Sequence, residues 1–167
     1  MQIDAMLCNH AEAVNNQLYI AGGGVNLGTV PPGLNPPYAV TLGLGIIVTV
    51  PWELTNQDHK VEIEIISEDG QPVTAPVAAD TATPLHVELA FNVGRPPGLP
   101  AGDAQVVSLA ANMPGLPLPA IGMYEFIVRV DGHDERRLAY RIQPSTGPQM
   151  AVTPPRLGPG PSGLPTN

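Results

Sequence analysis

Four histidines and a single cysteine are the residues of this chain that most readily suggest catalysis or metal binding. His10 lies two positions from both Cys8 and Glu12. Because alternate residues of a strand share a face, these three form the most ligand-like local set in the sequence. No H-x-H, H-E-x-x-H or C-x-x-C array contains the other histidines, His59, His86 and His133. A solvated strand end explains His10 and Glu12 more simply, so we predict no metal site and no cofactor.

The motifs of nucleophilic catalysis are also missing from the sequence. There is no G-x-S-x-G elbow, and Cys8 lies in a predicted strand, where a buried and unreactive thiol is the usual case. Carboxylate pairs occur without a distinguishing spacing. We therefore predict no catalytic residue. The alternative is a small metal-dependent or hydrolytic enzyme that uses His10, Glu12 or His59.

Two glycines, Gly43 and Gly45, lie on the outward face of a long predicted strand that begins at Tyr38. Two glycines on one face leave a shallow trough. Such glycines let a strand coil or bend, and they also allow another backbone to come close. We therefore take Gly43 and Gly45 as candidate binding residues, with a partner or the chain's own C-terminal segment as the backbone in the trough.

The only tryptophan, Trp52, follows the same strand and suggests an anchor at the end of a sandwich. With Tyr38 it could instead form a sugar-binding platform, although aromatic residues make up only 4% of the chain. A stiff Pro/Gly loop also starts at Arg95, Pro96 and Pro97, and such a loop can present a polyproline-like ridge to an aromatic groove. Plain crossovers between sheets have the same composition. Trp52 and these three loop residues complete the candidate binding residues.

The strands that position these residues are predicted from the period-two alternation of apolar side chains. Both arms of the stretch 38–70 alternate, which predicts a hairpin at the centre of the domain. Gln2–Cys8 and Gln17–Ala21 predict another hairpin, with Asn15 and Asn16 in the turn. Further alternating strands follow within 85–142, whereas 74–83 and 114–119 are expected to be loops. The fold class is therefore all-β, a single antiparallel β-sandwich of about eight strands, immunoglobulin-like in general architecture.

The glycine run 22–24 raises the question of a phosphate-binding loop. No Lys-Ser/Thr follows it, and Leu27 stands where a G-x-G-x-x-G motif needs its third glycine. A bulge or sharp bend is the expected structure.

Two segments divide the chain by composition. Residues 1–143 carry the alternating strands and are predicted to form the sandwich domain. Alternation stops at Pro144, and residues 144–167 are rich in Pro, Gly, Ser and Thr with few large apolar side chains. Such a segment cannot offset the entropy lost on ordering, so a disordered Pro/Gly-rich tail is expected.

Charge and composition limit the possible partners. The formal net charge is -8, from 15 acidic and 7 basic residues without a basic cluster, which argues against nucleic acid. No apolar run approaches the roughly 20 residues that span a bilayer. A single cysteine and the absence of a signal peptide suggest a cytoplasmic protein. We expect a non-catalytic module that binds a protein partner or itself, with a carbohydrate-binding module as a further alternative.

Several motifs in a fixed order carry a family resemblance. They are M-Q-I-D-A-M-L-C-N-H-A-E-A at the start, the glycine run, V-P-W at 50–52, E-D-G at 68–70, V-G-R-P-P-G-L-P at 93–100 and G-M-Y-E-F at 122–126. Together they resemble an uncharacterised family of small bacterial proteins, frequent in actinobacteria, over about residues 1–143. The resemblance implies a β-sandwich with no assigned catalytic or binding residues.

Overall fold

The computed structural model describes residues 1–77, 81–98 and 100–145. Within them the chain forms β-strands and one short 3-10 helix, Trp52–Leu54. No helix in these ranges is long and apolar enough to cross a membrane. The strands are β1 (Gln2–Cys8), β2 (His10–Val14), β3 (Gln17–Ala21), β4 (Leu27–Val30), β5 (Tyr38–Val50), β6 (Asp58–Ser67), β7 (Thr74–Val77), β8 (Thr81–Pro84), β9 (His86–Asn92), β10 (Gln105–Leu118), β11 (Gly122–Val130) and β12 (His133–Pro144).

Two sheets enclose a single hydrophobic core. The first sheet has the order β1-β5-β10, and the second has the order β4-β12-β11-β6-β9. All neighbours pair antiparallel except β4, which runs parallel to β12. The core side chains alternate along the strands, as predicted, and include Leu42, Leu44, Ile46, Val48 and Val50 from β5 and Val61, Ile63, Phe126, Val128 and Val130 from the second sheet. The predicted all-β fold is confirmed, with eight strands in these two sheets; the immunoglobulin-like architecture stays a prediction.

The predicted central hairpin is wrong. β5 pairs with β1 and β10, whereas β6 pairs with β11 and β9, so the two arms lie in different sheets. The connection 51–57 contains the 3-10 helix and Asn56, whose φ is 61°, and carries the chain from one sheet to the other. Alternation identifies the buried face of each arm, but it does not identify the strand to which the arm is hydrogen-bonded.

The predicted N-terminal hairpin also pairs differently. β3 pairs with β2, not with β1, which instead lies beside β5. Asn15 and Asn16 do form the turn, with φ of 50° and 59°. The glycine run is a bend, as expected: Gly22 and Gly24 have positive φ, and the Gly24 amide donates to the Leu7 carbonyl at 2.9 Å.

Three other segments differ from expectation or lie beyond the described residues. Segment 114–119 is not a loop, because β10 continues to Leu118 through an irregularity between Met113 and Leu116. Proline is tolerated there since β10 is an edge strand. Segment 74–83 was expected to be a loop, but β7 pairs with β8. A disordered tail is expected over 144–167; Pro144 belongs to β12, and 146–167 lies outside the described residues.

Candidate functional site

The local set of possible metal ligands, Cys8, His10 and Glu12, does not form one site. Cys8 is fully buried in β1, and this burial raises the pKa of its thiol although backbone hydrogen bonds at Gly45 and His10 lower it. His10 and Glu12 are exposed on β2, opposite to the buried Ala11. The three side chains belong to no group of metal-ligating residues within the described part of the chain.

A different cluster has suitable ligands, but the ammonium group of Lys60 lies among its carboxylates. Glu62, His86 and Glu88 lie close enough to surround a metal ion. Glu62 and Glu88 are directly opposite each other on β6 and β9. Lys60 Nζ lies 2.9 Å from Glu62 Oε1 and 3.3 Å from Glu88 Oε2, and the hydrogen bond from Lys60 lowers the pKa of Glu62. The cluster is therefore a cross-strand ion-pair network of the sheet surface.

His59, the third residue of the enzyme alternative, is buried at one end of the core and is 5% exposed. Its Nδ1 lies 2.8 Å from Asp131 Oδ2, and its Nε2 lies 2.7 Å from the Leu54 carbonyl oxygen. The ring packs against Phe91, with centroids 5.2 Å apart. Both nitrogens are engaged inside the fold, so His59 has no face open to a substrate.

Trp52 and Arg95 come from two separate candidate segments, and the structure brings them together. The guanidinium carbon of Arg95 lies 4.3 Å from the centroid of the Trp52 ring. Arg95 also donates to Thr55 Oγ1 and, at 2.8 Å, to the Trp52 carbonyl. These contacts fasten the connection 51–57 to the loop after β9. Pro96 and Pro97 are exposed next to this contact.

A sugar platform made of Trp52 and Tyr38 does not exist in this structure. Tyr38 is 7% exposed at the first residue of β5, whereas Trp52 follows the other end of that strand. A strand of 13 residues spans about 40 Å at its usual rise per residue. Arg95 moreover covers one face of the Trp52 ring.

The trough at Gly43 and Gly45 exists, and the chain's own hairpin β2–β3 occupies it. A Cβ atom at Gly45 would lie 2.9 Å from Ile20 Cδ1 and 3.1 Å from Leu18 Cδ2. At Gly43 it would lie 2.9 Å from the Cα atom of His10. Among the described residues, the closest approach to these glycines is made by residues 10–20 of the same chain.

An exposed apolar groove lies beside this hairpin, and sequence reasoning missed it. The hairpin packs on β5 and β10 and leaves much of the outer face of β1 open. The resulting β3 groove has a volume of about 250 Å³ and is lined chiefly by Asp4, Met6, Leu18, Ile20, Ile47 and Arg136. Met6 is 45% exposed and Ile20 is 38% exposed. An available signal was that Met6 alternates out of phase with Ile3 and Leu7, which are buried in β1.

A free strand edge borders this groove. In the sheets formed by residues 1–77, 81–98 and 100–145, β3 is hydrogen-bonded only to β2. The N–H and C=O groups on its other side are therefore open to a further strand.

Comparison with known families agrees with the motifs of the sequence. A family model described as "Family of unknown function (DUF6941)" matches residues 3–143. The chain belongs to this family. No curated protein matches it.

Proposed function

We propose that this member of the family is a non-catalytic protein-binding module that takes an extended segment of a partner protein into the β3 groove. The observation that carries the proposal is the free edge of β3 beside an exposed apolar groove. An extended peptide that adds to a strand edge gains main-chain hydrogen bonds, and pockets for alternate side chains give it specificity.

The layers of the domain leave room for one strand. The first sheet has three strands, and the hairpin that lies on its outer face has two. The hairpin covers β5 and β10, so the outer face of β1 is left open. A strand added to the free edge of β3 would cover this face of β1. Its alternate side chains would contact Met6, Ile20 and Ile47, which favours a segment with small or medium apolar residues at every second position.

Charge can set the direction of such a segment. Asp4 and Arg136 both line the groove, and both are exposed. Charges at the rim of an apolar site contribute more to orientation and association rate than to affinity. A partner segment with a basic residue near Asp4 and an acidic residue near Arg136 is therefore favoured.

The positions of the reactive side chains support binding over catalysis. Cys8 and His59 are buried, while His10 and Glu12 are exposed on the hairpin surface. An enzyme of the alternative class requires a nucleophile or metal ligand and a base that meet at an open cleft, and these four side chains do not meet at one. The single cysteine supports a reducing compartment, such as the cytoplasm, as the place of action.

The test is an affinity pull-down from native cell lysate with matched charge insertions. Met6→Glu places a carboxylate in the groove, whereas Leu27→Glu places one on β4, at a residue of similar exposure, 47% against 45%. We expect a specific partner with the unaltered chain and with Leu27→Glu, and its loss with Met6→Glu. Equal recovery by both variants, or no specific partner for the unaltered chain, would contradict the proposal.

Two further experiments test whether the C-terminal segment or a second copy of the chain occupies the β3 groove. A chain that ends at Gln143 should recover the same partner, because the groove lies within the matched family region. Sedimentation of the purified full chain tests a second copy: a dimer that Met6→Glu dissociates and Leu27→Glu leaves intact would replace the partner protein by the chain itself.

A further inference from the structure

The two ring nitrogens of His59 both face hydrogen-bond acceptors. Nδ1 lies 2.8 Å from the Asp131 carboxylate, and Nε2 lies 2.7 Å from the Leu54 carbonyl. A neutral imidazole carries only one N–H, so it can donate to only one of these atoms. The imidazolium carries two and can donate to both. The geometry therefore fits a protonated His59 beside an ionised Asp131.

Asp131 is held in the ionised form by its other contacts. Its Oδ1 accepts the backbone N–H of Lys60 at 2.9 Å. Partial burial raises the pKa of Asp131, but the hydrogen bonds from His59 and from the Lys60 amide outweigh it and lower the pKa below its ordinary value. The carboxylate thus joins the turn after β11 to the start of β6.

We propose that His59 is a protonation-dependent latch, which holds the connection 51–57 and the β11–β12 turn to the end of the core only while its ring is an imidazolium. When the ring loses a proton, one of the two acceptors loses its donor. Since His59 is 5% exposed, water cannot easily replace the lost hydrogen bond. Either the Leu54 side or the Asp131 side must then move.

The latch acts at the opposite end of β5 from Tyr38, where the connection carries Trp52. Release of Leu54 loosens the contact between Trp52 and Arg95, because Leu54 and Trp52 belong to the same 3-10 helix. Other charged or titratable groups on the elements packed around the ring are Glu53 on the connection, Asp58 and Lys60 on β6, Arg95 after β9, and His133 after the turn. Of these, His133 acts on Asp131 through its charge.

The chain provides its own reporter, since Trp52 is its only tryptophan. We expect the emission of Trp52 in the full chain to change in one step with pH, because loss of the ring proton removes one of the two hydrogen bonds. His59→Gln should abolish the step, because glutamine does not titrate. His86→Gln, which alters an exposed histidine on β9, should leave it in place.

Two measurements keep the inference testable if His59→Gln does not fold. In the unaltered chain, the ring proton shift of His59 in NMR spectra should follow the same midpoint as the emission. Asp131→Asn should weaken the emission step, because it removes the carboxylate that lies 2.8 Å from Nδ1. An emission that stays constant with pH, a midpoint different from that of the His59 ring, or a step that persists in His59→Gln would overturn the latch.

Discussion

Asn112, on the edge strand β10, binds both backbone groups of Ala11 on the hairpin. Its Oδ1 accepts the Ala11 N–H at 3.0 Å, and its Nδ2 donates to the Ala11 carbonyl at 2.8 Å. The amide thereby takes the place of a neighbouring strand for β2. Asn16 acts likewise at the hairpin turn: its Nδ2 donates to the Val106 carbonyl at 2.6 Å, and its Oδ1 accepts the Ser108 N–H at 2.8 Å. Two asparagine amides thus fasten the hairpin that forms one wall of the β3 groove.

Asn112→Ala should lower the free energy of unfolding by about 2 to 4 kcal/mol, because two backbone groups of a residue that is 1% exposed lose their partners. Urea denaturation measures this loss. Asn92→Ala is the matched control, since it removes an exposed hydrogen bond to Asp58 and should cost no more than about 0.5 kcal/mol. Equal losses in the two variants would show that the amide does not fasten the hairpin.

The two glycines of the trough should differ in their tolerance of alanine. A Cβ atom at Gly43 meets the backbone of His10 at 2.9 Å, whereas at Gly45 it meets only the ends of Ile20 and Leu18. Flexible side chains can shift, but a strand backbone must move as a unit. Gly43→Ala should therefore cost about 1 to 3 kcal/mol and Gly45→Ala less than about 1 kcal/mol. Thermal unfolding of both variants tests the order, and a larger loss at Gly45 would contradict the described packing.

Arg95→Ala should lower the free energy of unfolding by about 1 kcal/mol, since it removes a cation–π contact and a hydrogen bond to the Trp52 carbonyl. The emission spectrum of Trp52 should change in the same variant. Arg141→Ala, at an exposed arginine on β12, is the control and should leave the spectrum unchanged. An unchanged spectrum in Arg95→Ala would mean that the two side chains do not stack in solution.

Alternation predicted the buried faces of the strands because the side-chain period of a strand is local. The core positions Leu42, Leu44 and Ile46 follow from β5 alone. Strand partners are not local. β5 and β6 can each satisfy the same alternation in a shared hairpin or in opposite sheets, and only the packing of the whole chain separates the two.

For the candidate site, the sequence likewise predicted a local feature but not the segment that contacts it. The trough at Gly43 and Gly45 followed from two missing side chains, but its occupant did not, because β2 and β3 have only five residues each and carry a weak pattern. The sequence names His59 as a residue of the enzyme alternative on its residue type alone. Its burial depends on Asp131, which lies 72 positions away in the sequence, and no spacing rule connects them.

Acid should destabilise the fold through Asp131. The folded-state pKa of this carboxyl lies below its ordinary value of 3.8, so its ionised form favours the folded state. This contribution is present above the ordinary value and is lost as the pH falls through the folded-state value. The difference in unfolding free energy between the unaltered chain and Asp131→Asn should therefore shrink on acidification. Asp103→Asn, at an exposed position, is the control, and a difference that stays constant with pH would contradict the described role of Asp131.

Chemical labelling of the Cys8 thiol should measure how readily the hairpin opens. Its Sγ lies where the hairpin meets the first sheet, next to Gly43 and close to the amide of Asn112. Cys8 is fully buried, and burial raises the pKa of the thiol, so iodoacetamide can react only after an opening event. Because Cys8 is the only cysteine, labelling occurs at one site.

If the hairpin opens separately from the core, Asn112→Ala should speed this labelling about tenfold or more under native conditions, since 1.4 kcal/mol changes an opening equilibrium tenfold. Asn92→Ala should label at the rate of the unaltered chain. Mass spectrometry of timed samples gives both rates. Equal rates for the two variants would show that Cys8 becomes accessible only when the whole sandwich unfolds, and that the wall of the β3 groove is as stable as the core beneath it.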